Sequence, residues 1–167
     1  MTSKQYFLTQ SIIHLALMMG QILFAIVTFY ISQTSPSSGN EELKQTFTYL
    51  IPLVALIGIA AAFLLFNILL KKAREKSSLS EKISAYGTAM IVRYALLEAP
   101  SLLSIIAFFL TGDYTFLSVF GIVIILFIFL RPSKDKLIQE LELDPNEEIL
   151  INTPDAVIMK RNLSSKD

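Results

Sequence analysis

FTYLIPLVALIGIAAAFLLFNILL, residues 47–70, carries no charged side chain. It is longer than the roughly 20 apolar residues that cross a hydrocarbon core about 30 Å thick. Three further runs frame it. Residues 12–31 are also free of charge, residues 114–130 form a third uncharged run that is slightly short, and residues 87–110 are long enough but hold Arg93 and Glu98. Burying four such runs as core helices of a water-soluble domain would demand more polar surface than this chain has, since only 17% of its 167 residues are charged. An ordinary soluble domain carries about 25%. The sequence therefore predicts an all-α membrane protein with four transmembrane helices, at about 12–31, 47–70, 87–110 and 114–130. A transmembrane domain over 1–132 is followed by a short cytoplasmic C-terminal tail of mixed structure over 133–167. Pro52 falls in the first turns of the second run, where a missing N–H does least harm.

Connections and charges set the topology. SQTSPSSGN (32–40) reads as a solvated loop, and Thr111-Gly112-Asp113 as a tight connection that makes the last two helices an antiparallel hairpin. The first run exceeds a signal-peptide core and no small-residue cleavage pattern follows it, so it is expected to remain as a span. Basic residues stay on the cytoplasmic side. With the N-terminus inside, every Lys and Arg except Lys44 falls there, so both termini are expected to be cytoplasmic. Tyr30, Tyr49 and Tyr114 fall at the outer ends of the helices and Tyr6, Tyr86 and Tyr94 towards the inner ends, as interfacial aromatics do.

The first and third helices align. ALMMGQILFAIVTFYI (16–31) and ALLEAPSLLSIIAFFL (95–110) share Ala16/Ala95, Leu17/Leu96, Leu23/Leu102, Ile26/Ile105 and Phe29/Phe108. The chain thus reads as two hairpins in tandem, an arrangement known in transporters and in proteins that transport nothing. Small residues four apart let helix backbones approach closely in lipid. Ala16/Gly20, Gly58/Ala62 and Ala95/Ala99 are such pairs, and packing inside the bundle is their expected use.

Polar residues at membrane depth are the candidate site, because they are costly there. At 1.5 Å per residue, Glu98 comes about 10 Å inside the inner boundary. His14, Asn67 and Arg93 share its leaflet, and Gln21 lies nearer the midplane. Arg93 and Glu98 are five apart and do not form an intrahelical pair. Arg93 is expected to extend its guanidinium to the headgroups. Glu98 is read either as part of a structural clasp with His14, Asn67 or Arg93, or as a proton, cation or ligand site.

In the cytoplasmic segments, Ser78 with Glu81 fits a capping box that would start the third helix below the membrane. Ser133 can cap a short helix exposing Leu137, Ile138 and Leu141 on one face, and Asp144-Pro145 with Glu147 is a second start signal. Ile149–Ile151 and Ala156–Met159 flank Asn152–Asp155, which fits either a small hairpin docked on the bundle or another protein, or a partly disordered tail. The run KKAREK (71–76) would attract anionic headgroups, although its own and neighbouring Glu weaken the effect.

ALLEAP (95–100), the FFLTGD continuation (108–113) and the exit RPSKDKLIQELEL (131–143) resemble small four-helix inner-membrane proteins of bacteria that have no characterised activity. The resemblance covers roughly the second half and implies a fold without implying a reaction. Rotary-ATPase proteolipids and small multidrug transporters also use one membrane Glu. The former place it on the second helix of a glycine-dense hairpin. The latter place it on the first helix, where this chain has Met19. The absence of cysteine excludes disulfides and thiolate metal sites, and the single His excludes a multi-histidine centre in one chain. With no nucleotide loop, triad, haem or metal motif, no cofactor and no enzymatic activity are expected. Zero net charge makes nucleic acid an unexpected partner. The expected partners are the lipid bilayer, a protein docking on the tail, and a second copy. The function that fits best is an accessory or interaction subunit of a membrane assembly; a small proton- or cation-coupled transporter or channel using Glu98 is the alternative.

Overall fold

The computed structural model describes residues 1–34 and 41–159, so most of the 32–40 loop and the end of the tail lie outside the described residues. The elements in chain order are α1 (Ser3–Thr34), α2 (Glu41–Arg74), α3 (Leu79–Thr111), a single 3₁₀ turn (Tyr114–Phe116), α4 (Leu117–Phe129), α5 (Lys134–Leu141) and α6 (Pro145–Asn152). Three helices are long and apolar enough to cross a membrane, or four when the 3₁₀ turn and α4 are joined to α5 across an 83° bend. The chain is a multi-pass, all-helical membrane protein.

α1, α2 and α3 outrun the apolar runs that mark them, whereas α4 covers only part of 114–130, and local capping extends α1 and α3. In α1, Gln5 donates its amide to Thr2 Oγ1 at 3.3 Å while the Thr2 amide donates to Gln5 Oε1 at 3.0 Å. That reciprocal pair starts the helix at Ser3, well before Ile12. Of the expected Ser78 box the cap is present, with the Glu81 amide on Ser78 Oγ at 3.3 Å, while the Glu81 carboxylate accepts from the Ser78 hydroxyl instead of from the Ser78 amide. At the far end of α3, Gly112 takes φ 71° and donates its amide to Phe108 O at 2.8 Å, a left-handed stop that glycine adopts without strain. Because α2 begins at Glu41, Pro52 lies in its interior rather than in its first turns.

α3 is the hub. It packs along α2 and also meets α4 and α1, whereas α1 packs mainly on α3 and touches α4 and α6 lightly, rather than packing on α2. The first pair is therefore not a packed hairpin, and it is the aligned helices α1 and α3 that lie side by side. The tightest α2–α3 approach has a local cause. Pro100 has no N–H for the carbonyl of Leu96. That carbonyl lies 3.0 Å and Pro100 Cγ 3.1 Å from where a Cβ on Gly58 would stand. Ala62 is fully buried one turn further along the same strip.

Residues 134–141 and 145–152 of the tail are helical, the second where a small hairpin or a partly disordered segment was expected. The Asp144 carboxylate accepts the amides of Asn146 and Glu147 at 2.8 and 3.0 Å. The helix so started carries Ile149–Ile151 with it and ends at Thr153-Pro154. Leu137, Leu141 and Ile151 are buried to 0–1% exposure and continue the bundle core formed by Tyr86, Met90, Tyr94 and Phe127. Each such burial contributes on the order of 1.5–3 kcal/mol, which an isolated hairpin lacks. Residues 154–159 then bind the N-terminus. The Ser3 and Lys4 amides donate to the Ala156 and Pro154 carbonyls, each at 3.0 Å, and the terminal ammonium donates to Met159 O at 2.8 Å.

Candidate functional site

The polar residues predicted as one cluster divide between two faces of α3. On the face towards α1, the His14 and Tyr94 rings are 5.1 Å apart and Phe29 stacks on Phe108 at 6.3 Å. Both pairs are separated by the same stretch of chain to within one residue. α1 and α3 therefore run parallel and in register, with the offset of the Ala16/Ala95 alignment. This register brings Gln21 level with Ser101. It places Glu98 between the His14 and Gln21 levels, on the side of α3 that it shares with Tyr94 and Ser101.

The α1 side of this seam is polar at intervals of seven residues: His14, Gln21 and Thr28 are all buried. That spacing is the signal in the sequence that marks the seam, since a lipid-facing helix gains nothing from it. Thr28 satisfies its hydroxyl on its own backbone, bonding Phe24 O at 2.9 Å and Ala25 O at 3.0 Å. Others remain unpaired: Gln10 Oε1, His14 Nδ1, Gln21 Oε1 and Ser101 Oγ are buried without a hydrogen-bond partner among the described residues. Most buried polar atoms in native proteins are satisfied, so four along one seam set it apart.

Glu98 is half-buried and makes no hydrogen bond or ion pair among the described residues. The clasp, one of its two expected readings, is not formed among the described residues: Asn67 and Arg93 face elsewhere, and the His14 ring packs on Tyr94 and Phe127. Asn67 is exposed, one position off the buried line occupied by Phe66 and Leu70. Arg93 does not extend to the headgroups. It is buried towards α2, with its guanidinium 4.1 Å from the Phe66 ring centre and 5.3 Å from that of Phe63. A cation over ring faces is held by their quadrupoles.

The small residues also separate. Gly58 and Ala62 pack inside, as expected. Ala16, Gly20, Ala95 and Ala99 are exposed, and a Cβ on Gly20 would meet nothing within 4 Å. Phe127 of α4 stacks on both His14 and Tyr94, covering one side of the seam. Helical periodicity then puts the four small residues on the other, outward side, at the level of Glu98.

No family model, curated protein or solved structure matches the chain. The reading of its function therefore rests on the geometry of this seam.

Proposed function

We propose that the protein is an accessory or interaction subunit of an assembly in the bacterial inner membrane. In this reading it has four spans, both termini in the cytoplasm, and a place for a partner's transmembrane helix against the outward side of α1 and α3. The observation that carries the reading is Glu98, a carboxylate without a partner at membrane depth, set between two exposed pairs of small residues. Small residues allow close backbone approach, and a polar group in hydrocarbon favours a helix that brings it a donor. The partner helix would supply a hydroxyl, amide or basic side chain at that level.

Topology is supported by the bonds between residues 1–4 and 151–159, which hold these two segments together, as an even number of crossings would place them. Tyr114–Phe129, about 24 Å long at 1.5 Å per residue, would be the fourth span, short enough to thin the bilayer locally. The basic residues on the side of the termini favour the cytoplasm.

A photo-crosslinking residue at Gly20 or Ala99 in intact membranes should give a discrete adduct that Glu98→Leu weakens, while one at Leu64 on the far side of α2 gives none. Equal labelling at all three positions, or none at any, would remove the partner helix.

The unpaired atoms of the seam favour a second reading, a small proton- or cation-coupled transporter or channel using Glu98. In that case Glu98→Gln should abolish flux in proteoliposomes with the fold intact, because an amide cannot release a proton.

A further inference from the structure

Two depressions lie along α1, one against the α4–α5 connection and one against α4, and neither belongs to the Glu98 side of the seam. One, at the end nearer the termini, is a cleft of about 420 Å³ lined by Ser11, His14, Leu15, Arg131, Pro132 and Ser133. The other, further along α1, is an apolar groove of about 370 Å³ whose walls include Ile22, Ile26 and Phe29 of α1 and Phe120 and Ile124 of α4. Ser11, Leu15, Ile22, Ile26 and Phe29 recur at helical spacing on one face of α1. The two depressions therefore lie in line on one face of α1, as the two ends of a track. About 10 Å separates Leu15 from Ile22 at 1.5 Å per residue.

The chemistry changes along the track. Its terminal-side end is cationic and polar. Arg131 is exposed and has no ion-pair partner among the described residues. The Lys136 ammonium is drawn beneath the bend by the carbonyls of Phe129 (2.5 Å) and Arg131 (3.4 Å). Ser133 caps α5, whose N-terminal dipole favours an anion at this end. His14, 7% exposed, brings to the cleft wall an Nδ1 atom that nothing in the described protein satisfies. The one acidic residue in the first turn of α5, Asp135, is exposed and does not line the cleft. The other end of the track is lined by apolar side chains alone.

We infer that this track is a binding site for an anionic glycerophospholipid, its phosphate at Arg131, His14 and Ser133 and an acyl chain along Ile22, Ile26 and Phe29. A cationic pocket between spans at the cytoplasmic boundary is the setting in which such headgroups are held. The apolar groove in line with it distinguishes a lipid from a free phosphate. The inference uses the crossing of α1 and α4 but not the partner helix proposed above.

The full chain in neutral detergent, given phosphatidylglycerol, phosphatidylcholine or inorganic phosphate, tests this by native mass spectrometry and thermal melting. Phosphatidylglycerol should be retained in preference to phosphatidylcholine and should raise Tm, and inorganic phosphate should not raise it. Arg131→Gln should weaken phosphatidylglycerol binding about fivefold, the effect of one basic residue at a headgroup. Ile26→Trp, which fills the groove, should weaken it too, while Lys71→Gln on α2 should not. Equal retention of the two lipids by the wild-type chain, an equal Tm shift with inorganic phosphate, or no greater loss for Arg131→Gln than for Lys71→Gln would overturn the inference.

Discussion

The Lys82–Glu147 pair should hold the tail beneath the bundle more strongly than the neighbouring Arg74–Glu142 pair, although the second is the shorter contact. Lys82 Nζ reaches both Glu147 oxygens, at 2.8 and 2.9 Å, and the two side chains are only 16% and 15% exposed. Arg74 meets Glu142 at 2.6 Å, but with side chains 37% and 68% exposed. Water screens the second pair and much less of the first. Charged hydrogen bonds of the first kind contribute about 1.5–3 kcal/mol; exposed pairs contribute about 0.2–1 kcal/mol. A double-mutant cycle with Lys82→Met and Glu147→Gln should therefore give a coupling energy of about 1.5–3 kcal/mol, and one with Arg74→Met and Glu142→Gln less than about 1 kcal/mol. The glutamine retains a carbonyl able to accept the Asp144 amide, now bonded to Glu147 at 3.3 Å, so the α6 cap is disturbed little. Hydrogen exchange of the 146–152 amides in lipid nanodiscs reads the local opening free energy for each variant. A Lys82–Glu147 coupling no larger than that of Arg74–Glu142 would refute the burial argument.

Two further outcomes rest on close contacts, one in the middle of the bundle and one at the α3–α4 connection. Gly58→Ala should destabilise by about 1–2 kcal/mol in a detergent unfolding titration, since its Cβ meets the Leu96 carbonyl at 3.0 Å and overpacking costs of this order; Gly20→Ala, facing open space, should be neutral or slightly stabilising. The Thr115 hydroxyl and amide, with Lys44 at 3.2 Å, hold the Asp113 carboxyl below the usual carboxylate range. Its contribution is then fully present above about pH 3.9, the ordinary Asp value, and is lost as pH falls through the lower folded value. The Tm difference between wild type and Asp113→Asn should stay constant from pH 8 to 5 and shrink only below about pH 4.

Much of the fold was legible because membrane spans and helix caps are local. The charge-free runs, the Ser78, Ser133 and Asp144 caps and the Gly112 stop all stand where the residues place them. What escaped depends on which face a residue presents and on local signals that compete. The early start of α1 needed the Thr2–Gln5 box to be weighed against the polar residues before Ile12. Ile149–Ile151 has the composition of a strand, yet it follows a capped proline start that runs through it. Asn67 has the depth of the cluster but lies one residue off the buried line set by Phe66 and Leu70. Arg93 has a long enough side chain to reach the headgroups, but Phe63 and Phe66 of α2 hold it inside. The small-residue pairs looked alike in sequence, and only the arrangement of α2, α3 and α4 sends Gly58 inward and Gly20 outward.

The placement of both the Glu98 face and the α1–α4 track depends on four crossings with the termini on one side. The chain has no cysteine, so single cysteines at Gln45, Thr115 and Asp155 report on sidedness without background. In intact cells an impermeant maleimide should label the cysteines at 45 and 115, and reach that at 155 only after the inner membrane is opened. Labelling at 155 from outside, or protection at 115, would contradict the topology on which the account rests.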